Sequence, residues 1–190
     1  MTAPTDERRA AALRAATKPA PKCLAAPDFA ASMRKLASGV VVVTTEVDGQ
    51  PWGVTLSSVS SFSADPARIS LSIKKTTATG AYIAEHEQFG VAILPHAMAD
   101  LANALAAPGS PKFIPEEHLG EPSPTLTLPV IEGAIYNLEC TVAYVVEAID
   151  HLLVIADVVS ACAGEHADTV SPLTFFDRTF GSFAAGNSER

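Results

Sequence analysis

The sequence predicts a mainly β protein, an antiparallel barrel with a few short peripheral helices, and three observations point there. Short apolar runs recur along the 190 residues, set off by turn signals at Asp48-Gly49 and Asp65-Pro66. Several of these runs are β-branched or alternate with polar residues, the mark of strands rather than helices. Helical patterns are few and brief, so the alternating strand and helix units of a parallel sheet are not seen.

Each element follows in order. Residues 1–27 are rich in Ala, Pro and charge and read as a mobile arm. A short helix at Glu7 to Ala16 is stopped by Pro19, Pro21 and Pro27. Residues 28–190 read as one domain. Asp28 is placed to cap a helix carrying Phe29, Met33 and Leu36 on one face and ending at Ser38-Gly39. Val40 to Thr45 is a β-branched run and reads as a buried strand. Gly53 to Phe62 and Arg68 to Lys74 are the next strands, the second with Ile69, Leu71 and Ile73 on one face. Thr79 to His86 reads as a helix, Phe89 to Leu94 as a buried strand and Ala99 to Ala107 as a short helix stopped by Pro108-Gly109. Ser110 to Leu128 is a Pro-rich loop. Pro129 to Ile135, Tyr136 to Ala148 and His151 to Ala161 complete the strands, the last two joined by a hairpin-type turn.

Composition narrows the function classes. Apolar residues make up 48% and charged residues 18%, as suits a folded body with a sizeable core. A formal net charge of −8 argues against nucleic acid or an anionic membrane as partner, while a few local Lys residues can still hold a phosphate. No apolar run reaches roughly 18 residues, so no membrane span is expected. The N-terminal segment lacks a signal-peptide core, so secretion is not expected. Cys23, Cys140 and Cys162 are widely spaced, and no His flanks them at ligand spacing. A reduced, cytoplasmic protein without a metal is expected, with Cys140 a small buried hydrophobe.

The segment from Thr55 to Ser63 carries the chemistry: six of its nine residues bear hydroxyls, yet it lies between apolar strands. Small polar side chains and main-chain N–H groups suit a flat, polar heteroaromatic ligand lying against the backbone. The same composition also describes a solvated edge strand. Lys75-Thr76-Thr77-Ala78-Thr79 opens a helix, where free N–H groups and a Lys suit phosphate, or where an ordinary N-cap is flanked by a solvated Lys. His151, after Asp150 at a strand start, reads either as an exposed turn residue or as a ligand contact. Phe175, Phe176 and Phe180 fit core packing as well as a ligand platform.

Taken together these blocks resemble the flavin reductase-like family of FMN-binding split barrels. The resemblance rests on Gly39-Val40-Val41-Val42-Val43-Thr44, the Asp-Gly-x-Pro turn, Gly53-Val54-Thr55-Leu56-Ser57-Ser58, Ser63-Ala64-Asp65-Pro66 and Lys75 to Thr79. Phe89 to Leu94, Asp150-His151 and Pro172 to Phe176 complete it. The resemblance implies a split β-barrel homodimer that reduces FMN or FAD with NADH, less readily NADPH, and supplies free reduced flavin to a partner monooxygenase. It implies flavin contacts at Val54, Thr55, Leu56, Ser57, Ser58, Lys75, Thr76 and Thr79. It implies nicotinamide contacts at His151, Arg178 and Phe180, and no side chain acting as acid or base. Ala92, Trp52, Ala156-Asp157 and Phe180 stand where the family more often has Asn, His, Gly-Glu and Tyr. The alternatives are a flavin carrier of the same fold without reductase activity, or an oxidase or reductase of another substrate on a related split barrel.

Overall fold

The structure is a computed structural model that describes residues 22–183. The chain divides into two compact units, Met1–Met33 and Arg34–Arg190. The expected helix at Glu7 to Ala16, and the expected arm up to residue 21, lie outside the described residues. In the first unit, α1 spans Ala26–Met33. Asp28 therefore sits in the first turn, not at the cap, and the helix ends well before Ser38. Pro27 is tolerated there because first-turn N–H groups have no intrahelical partner, and the carboxylate of Asp28 faces the positive end of the helix dipole.

Among its described residues the second unit is built on ten strands: β1 (Ser38–Gly39), β2 (Val41–Val47), β3 (Gln50–Leu56), β4 (Val59–Ala64), β5 (Ala67–Lys74), β6 (Gln88–Ile93), β7 (Tyr136–Ala148), β8 (His151–Ala163), β9 (Leu173–Phe176) and β10 (Thr179–Ser182). Two helices accompany them, α2 (Ala78–His86) and α3 (Ala99–Ala106). Seven strands form one antiparallel sheet in the order β3-β2-β6-β7-β8-β5-β4, and β1, β9 and β10 form a small second sheet. The outermost strands of the large sheet, β3 and β4, are consecutive in sequence but do not pair. The sheet is therefore open along one seam, as in a split barrel.

Strand β2 explains the unbroken Val run. Val41 and Val43 enter a core with Leu71, Ile83, Phe89, Val91 and Val154, while Val40 and Val42 enter a second core with Leu94, Leu101, Leu105, Ile131 and Leu173. A strand buried on both faces has no polar face to alternate with. In β5 one face is solvated, and Ile69, Leu71 and Ile73 alternate inward as expected. Cys140 is fully buried, and burial pushes its thiol up to about 12. The β2–β3 turn has Asp48 and Gly49 both at positive φ, 53° and 72°, the backbone that Asp-Gly favours in a two-residue hairpin.

Three expectations are corrected. Gly53 to Phe62 is not one strand; it breaks at Ser57-Ser58, where the chain passes from one edge of the sheet to the other. Pro129 to Ile135 is not a strand: Ile131 makes a single bridge to Leu119, and Gly133 at φ 74° turns the chain. The residues around Pro172 form two short strands, β9 and β10, paired through Phe175↔Phe180.

The Pro-rich loop is tied down by β7. Glu139, 2% exposed, accepts hydrogen bonds from Ser123 Oγ (2.8 Å), Thr125 N–H and Leu126 N–H. Burial alone would raise its pKa, but these donors and Ser160 outweigh burial and hold it below its ordinary value of 4.5. Asn137 makes a two-way bond with the Ile131 backbone, at 3.1 and 3.0 Å.

A depressed carboxylate stabilises the fold above its unfolded pKa and loses that contribution as pH falls through the folded value. Acid titration of unfolding should therefore show a stability loss beginning near pH 4.5 that Glu139→Gln largely removes. At neutral pH, Glu139→Ala should cost about 3 kcal/mol in urea unfolding, because buried donors lose their acceptor. At Gly80 an added Cβ would lie 2.4 Å from the Lys74 carbonyl oxygen, so Gly80→Ala should lower the melting temperature by several degrees, read by thermal circular dichroism.

Candidate functional site

The seam is where the site is built. On the outer edge of β3, Gly53 N–H donates to Lys112 O (2.9 Å), and Ile114 N–H donates to Pro51 O (3.1 Å). The Pro-rich loop thus covers the first half of that edge, with Phe113 edge-on to Trp52 at 4.9 Å. Backbone groups alternate in direction along an antiparallel strand. Since Pro51 and Gly53 point outward, Thr55 also directs its N–H and C=O away from β2, while Ser57 lies past the end of β3. Val54 and Leu56 direct theirs to β2. Val54 is buried in the barrel core, so of the expected contact residues on β3 Thr55 is the one whose backbone faces outward.

The hydroxyls sort differently. Thr55 Oγ1 donates to Ala102 O of α3 (2.8 Å), and Ser58 Oγ donates to Ser72 O of β5 (2.7 Å), so both fix the seam. Ser57 is exposed. A cavity of about 140 Å³ lies against this segment, lined by Val40, Thr55, Leu56, Ser57, Ala106, Phe175 and Phe180. Phe175 and Phe180 meet edge to face at 5.4 Å. Phe180 is thereby brought beside the Ser/Thr segment. Nothing in sequence marked Ala106 or the 112–114 edge.

A second group gathers where β5 ends. Lys74 pairs with His151 across β5 and β8, and Lys75 N–H donates to Asp150 O (3.1 Å). Thr77 caps α2: its Oγ1 accepts from Gly80 N–H (3.0 Å) and donates to Lys74 O (2.8 Å). Lys75 Nζ forms an ion pair with Glu147. Asp150 and His151 Nδ1 are 2.8 Å apart, and this bond, with the neighbouring charges, holds the Asp150 carboxyl below its usual range. Thr76 is exposed, whereas Thr79 is fully buried with its hydroxyl unpartnered among the described residues. Helix packing therefore withholds Thr79 from a surface ligand, leaving Lys75 and Thr76 as the accessible two of those three residues.

Arg178 belongs to neither group. It lies in the β9–β10 turn at φ 67°, next to Asp177, which pairs with Lys35 at 2.7 Å. Strand β5 connects the two groups: Ser58 meets Ser72, and Lys75 lies three residues on, roughly 10 Å along the strand. No group of three or more His, Cys, Asp or Glu suited to a metal occurs among the described residues. No helix among them is long and apolar enough to cross a membrane.

Comparison with known proteins agrees with this architecture. The chain is 34% identical over 148 residues to the reductase component of 4-nitrophenol 4-monooxygenase/4-nitrocatechol 2-monooxygenase from Rhodococcus opacus, covering 77% of this chain and 75% of that protein. It is 30% identical over 163 residues to the flavin reductase (NADH) of Kitasatospora aureofaciens, covering 85% and 83%. Among solved structures, the flavin reductase of styrene monooxygenase from Pseudomonas putida superposes with a TM-score of 0.73 at 24% identity, covering 84% of this chain and 99% of that one. A flavin reductase domain protein from an Arthrobacter species gives 0.76 at 22%, covering 86% and 99%. These last two speak to the fold. The model of the flavin reductase like domain matches residues 33–184, and the chain belongs to that family.

Proposed function

We propose that this protein is an NADH-dependent flavin reductase that passes a hydride from the nicotinamide to FMN or FAD and releases the reduced flavin to a partner monooxygenase. The observation that carries the reading is the spacing of the two groups. The Ser57-Ser58 break, which follows the outward-facing Thr55 and meets β5 at Ser72, and the cationic helix start at Lys75 are three residues apart along the chain of β5 and its end. That is about the reach of a five-carbon polyol phosphate arm between a ring and its phosphate.

The fit is chemical as well as metric. The outward N–H of Thr55 and the exposed Ser57 hydroxyl match polar groups on a flavin's pyrimidine edge, and Ser57 has no bulk to keep a ring away. Lys75, the Thr76 hydroxyl and the free N–H groups opening α2 match a phosphate. Hydride and one proton together convert the oxidised flavin to its reduced form. The chain's task is to align the two rings and stabilise negative charge on the acceptor, so no acid–base pair is required. His151, oriented by Asp150, lies at the Lys74 end of β5, an arm's length from the ring edge, and is assigned to NADH at a part of the dinucleotide away from the reacting ring.

A cavity of about 140 Å³ is smaller than the ~300 Å³ at which cofactor pockets begin. A homodimer in which a second copy completes the wall accounts for this, and the reading includes such a dimer. It also includes a cytoplasmic location, where NADH and a reducing environment are at hand.

NADH consumption measured with FMN and FAD titrated separately should saturate in flavin; binding without turnover would favour a carrier. Ser57→Leu should raise the flavin KM about tenfold by bulk, the equivalent of ~1.4 kcal/mol, and an unchanged titration would remove this segment from the site. His151→Ala should raise the KM for NADH about fivefold with little change for flavin, as for one lost hydrogen bond. An unchanged NADH dependence would free His151 of that role.

A further inference from the structure

We propose that Glu147 sets the affinity of the site: its carboxylate holds the Lys75 ammonium in the free protein and gives it up to the flavin's phosphate. This rests on the flavin reading above and adds a residue to it. Glu147 and Lys75 are 72 residues apart in sequence, and nothing in the sequence pairs them. The fold does. Glu147 stands opposite Leu152, one step from the β7–β8 turn, and Ile73 pairs with Leu152 from the other side. The turn is itself fastened to the Lys75 backbone through Asp150 O. The carboxylate is therefore delivered by a fixed hairpin and not by a free chain end.

The pair is also exposed enough to be exchanged. The Lys75 side chain is 39% exposed and that of Glu147 is 62%. Ion pairs in such surroundings contribute little to stability, so Lys75 can trade one anion for another without disturbing the fold. A carboxylate and a phosphate both accept hydrogen bonds from the same ammonium, and placing both there at once sets like charges side by side. The bound phosphate thus meets both a competitor and a repulsive neighbour. For an enzyme whose product must leave, this lowers affinity at the end of the ligand that does not react.

Binding of FMN and of riboflavin, which has no phosphate, to the full chain by fluorescence quenching at low ionic strength tests this. Glu147→Gln should tighten FMN about fivefold and leave riboflavin unchanged, with the gain shrinking as salt rises. In a Lys75→Met background the same substitution should change nothing. Unchanged FMN affinity in Glu147→Gln, an equal gain for riboflavin, or a gain that persists without Lys75 would each overturn the role of Glu147. Failure of both the wild type and Glu147→Gln to bind FMN would overturn the flavin reading itself.

Discussion

The short link between β3 and β4 governs the architecture. In a flat sheet the outer two of seven strands would lie roughly 29 Å apart, at ~4.8 Å per neighbour. The three steps from Leu56 to Val59 reach only ~10 Å. The sheet must therefore coil until its two edges almost meet, which wraps it around Phe89, Leu71 and Val154 as one interior. The edges meet without pairing. What remains is a seam of backbone donors and acceptors, rimmed by the smallest polar residues in the chain.

An open edge invites aggregation unless something covers it. Here the Pro-rich loop covers the β3 edge as far as Gly53 and stops short of Thr55. Its position depends on Glu139 and Asn137, neighbours on β7 that supply acceptors to backbone groups the loop's own irregular path leaves unpaired. A buried carboxylate is costly without such donors, and the loop's N–H groups are costly without such an acceptor. Each solves the other's desolvation problem.

The strands were legible wherever one face is solvated or both are buried: the alternation of β5 and the Val run of β2 translate directly into contacts. The Asp-Gly turn was legible because two successive positive φ angles demand such residues. The break at Ser57-Ser58 was not, since hydroxyl residues suit a strand and a link equally well, and only topology decides between them. The missed β9 and β10 are four residues each, too short for a period to show. Glu139 left a trace, an acid well inside a mainly apolar strand. Its partners at Ser123 to Leu126 could not be inferred, because they come from a segment without periodicity. Of the site, the Ser/Thr segment, the Lys75 cluster and the Asp150-His151 pair could all be read as local composition. That β5 holds the first of them one arm's length from the other two is a property of the fold alone. Thr79 shows the converse, a residue of suitable chemistry that helix packing turns inward.

Flavin reduction needs neither a nucleophile nor a paired-carboxylate constellation. Hydride transfer between two stacked rings needs alignment and a polar edge, both of which backbone groups supply at fixed positions without side-chain entropy to lose. A reductase that hands on its flavin also has an upper bound on affinity, because each additional 1.4 kcal/mol of binding slows release about tenfold at a constant association rate. In the proposed reading the seam meets both demands: its backbone donors belong to β3, and the Lys75 cation is shared with a carboxylate. A deeper pocket would hold the ring more firmly and serve a resident cofactor; an open edge that grips one side of the ring and one end of the tail serves a substrate.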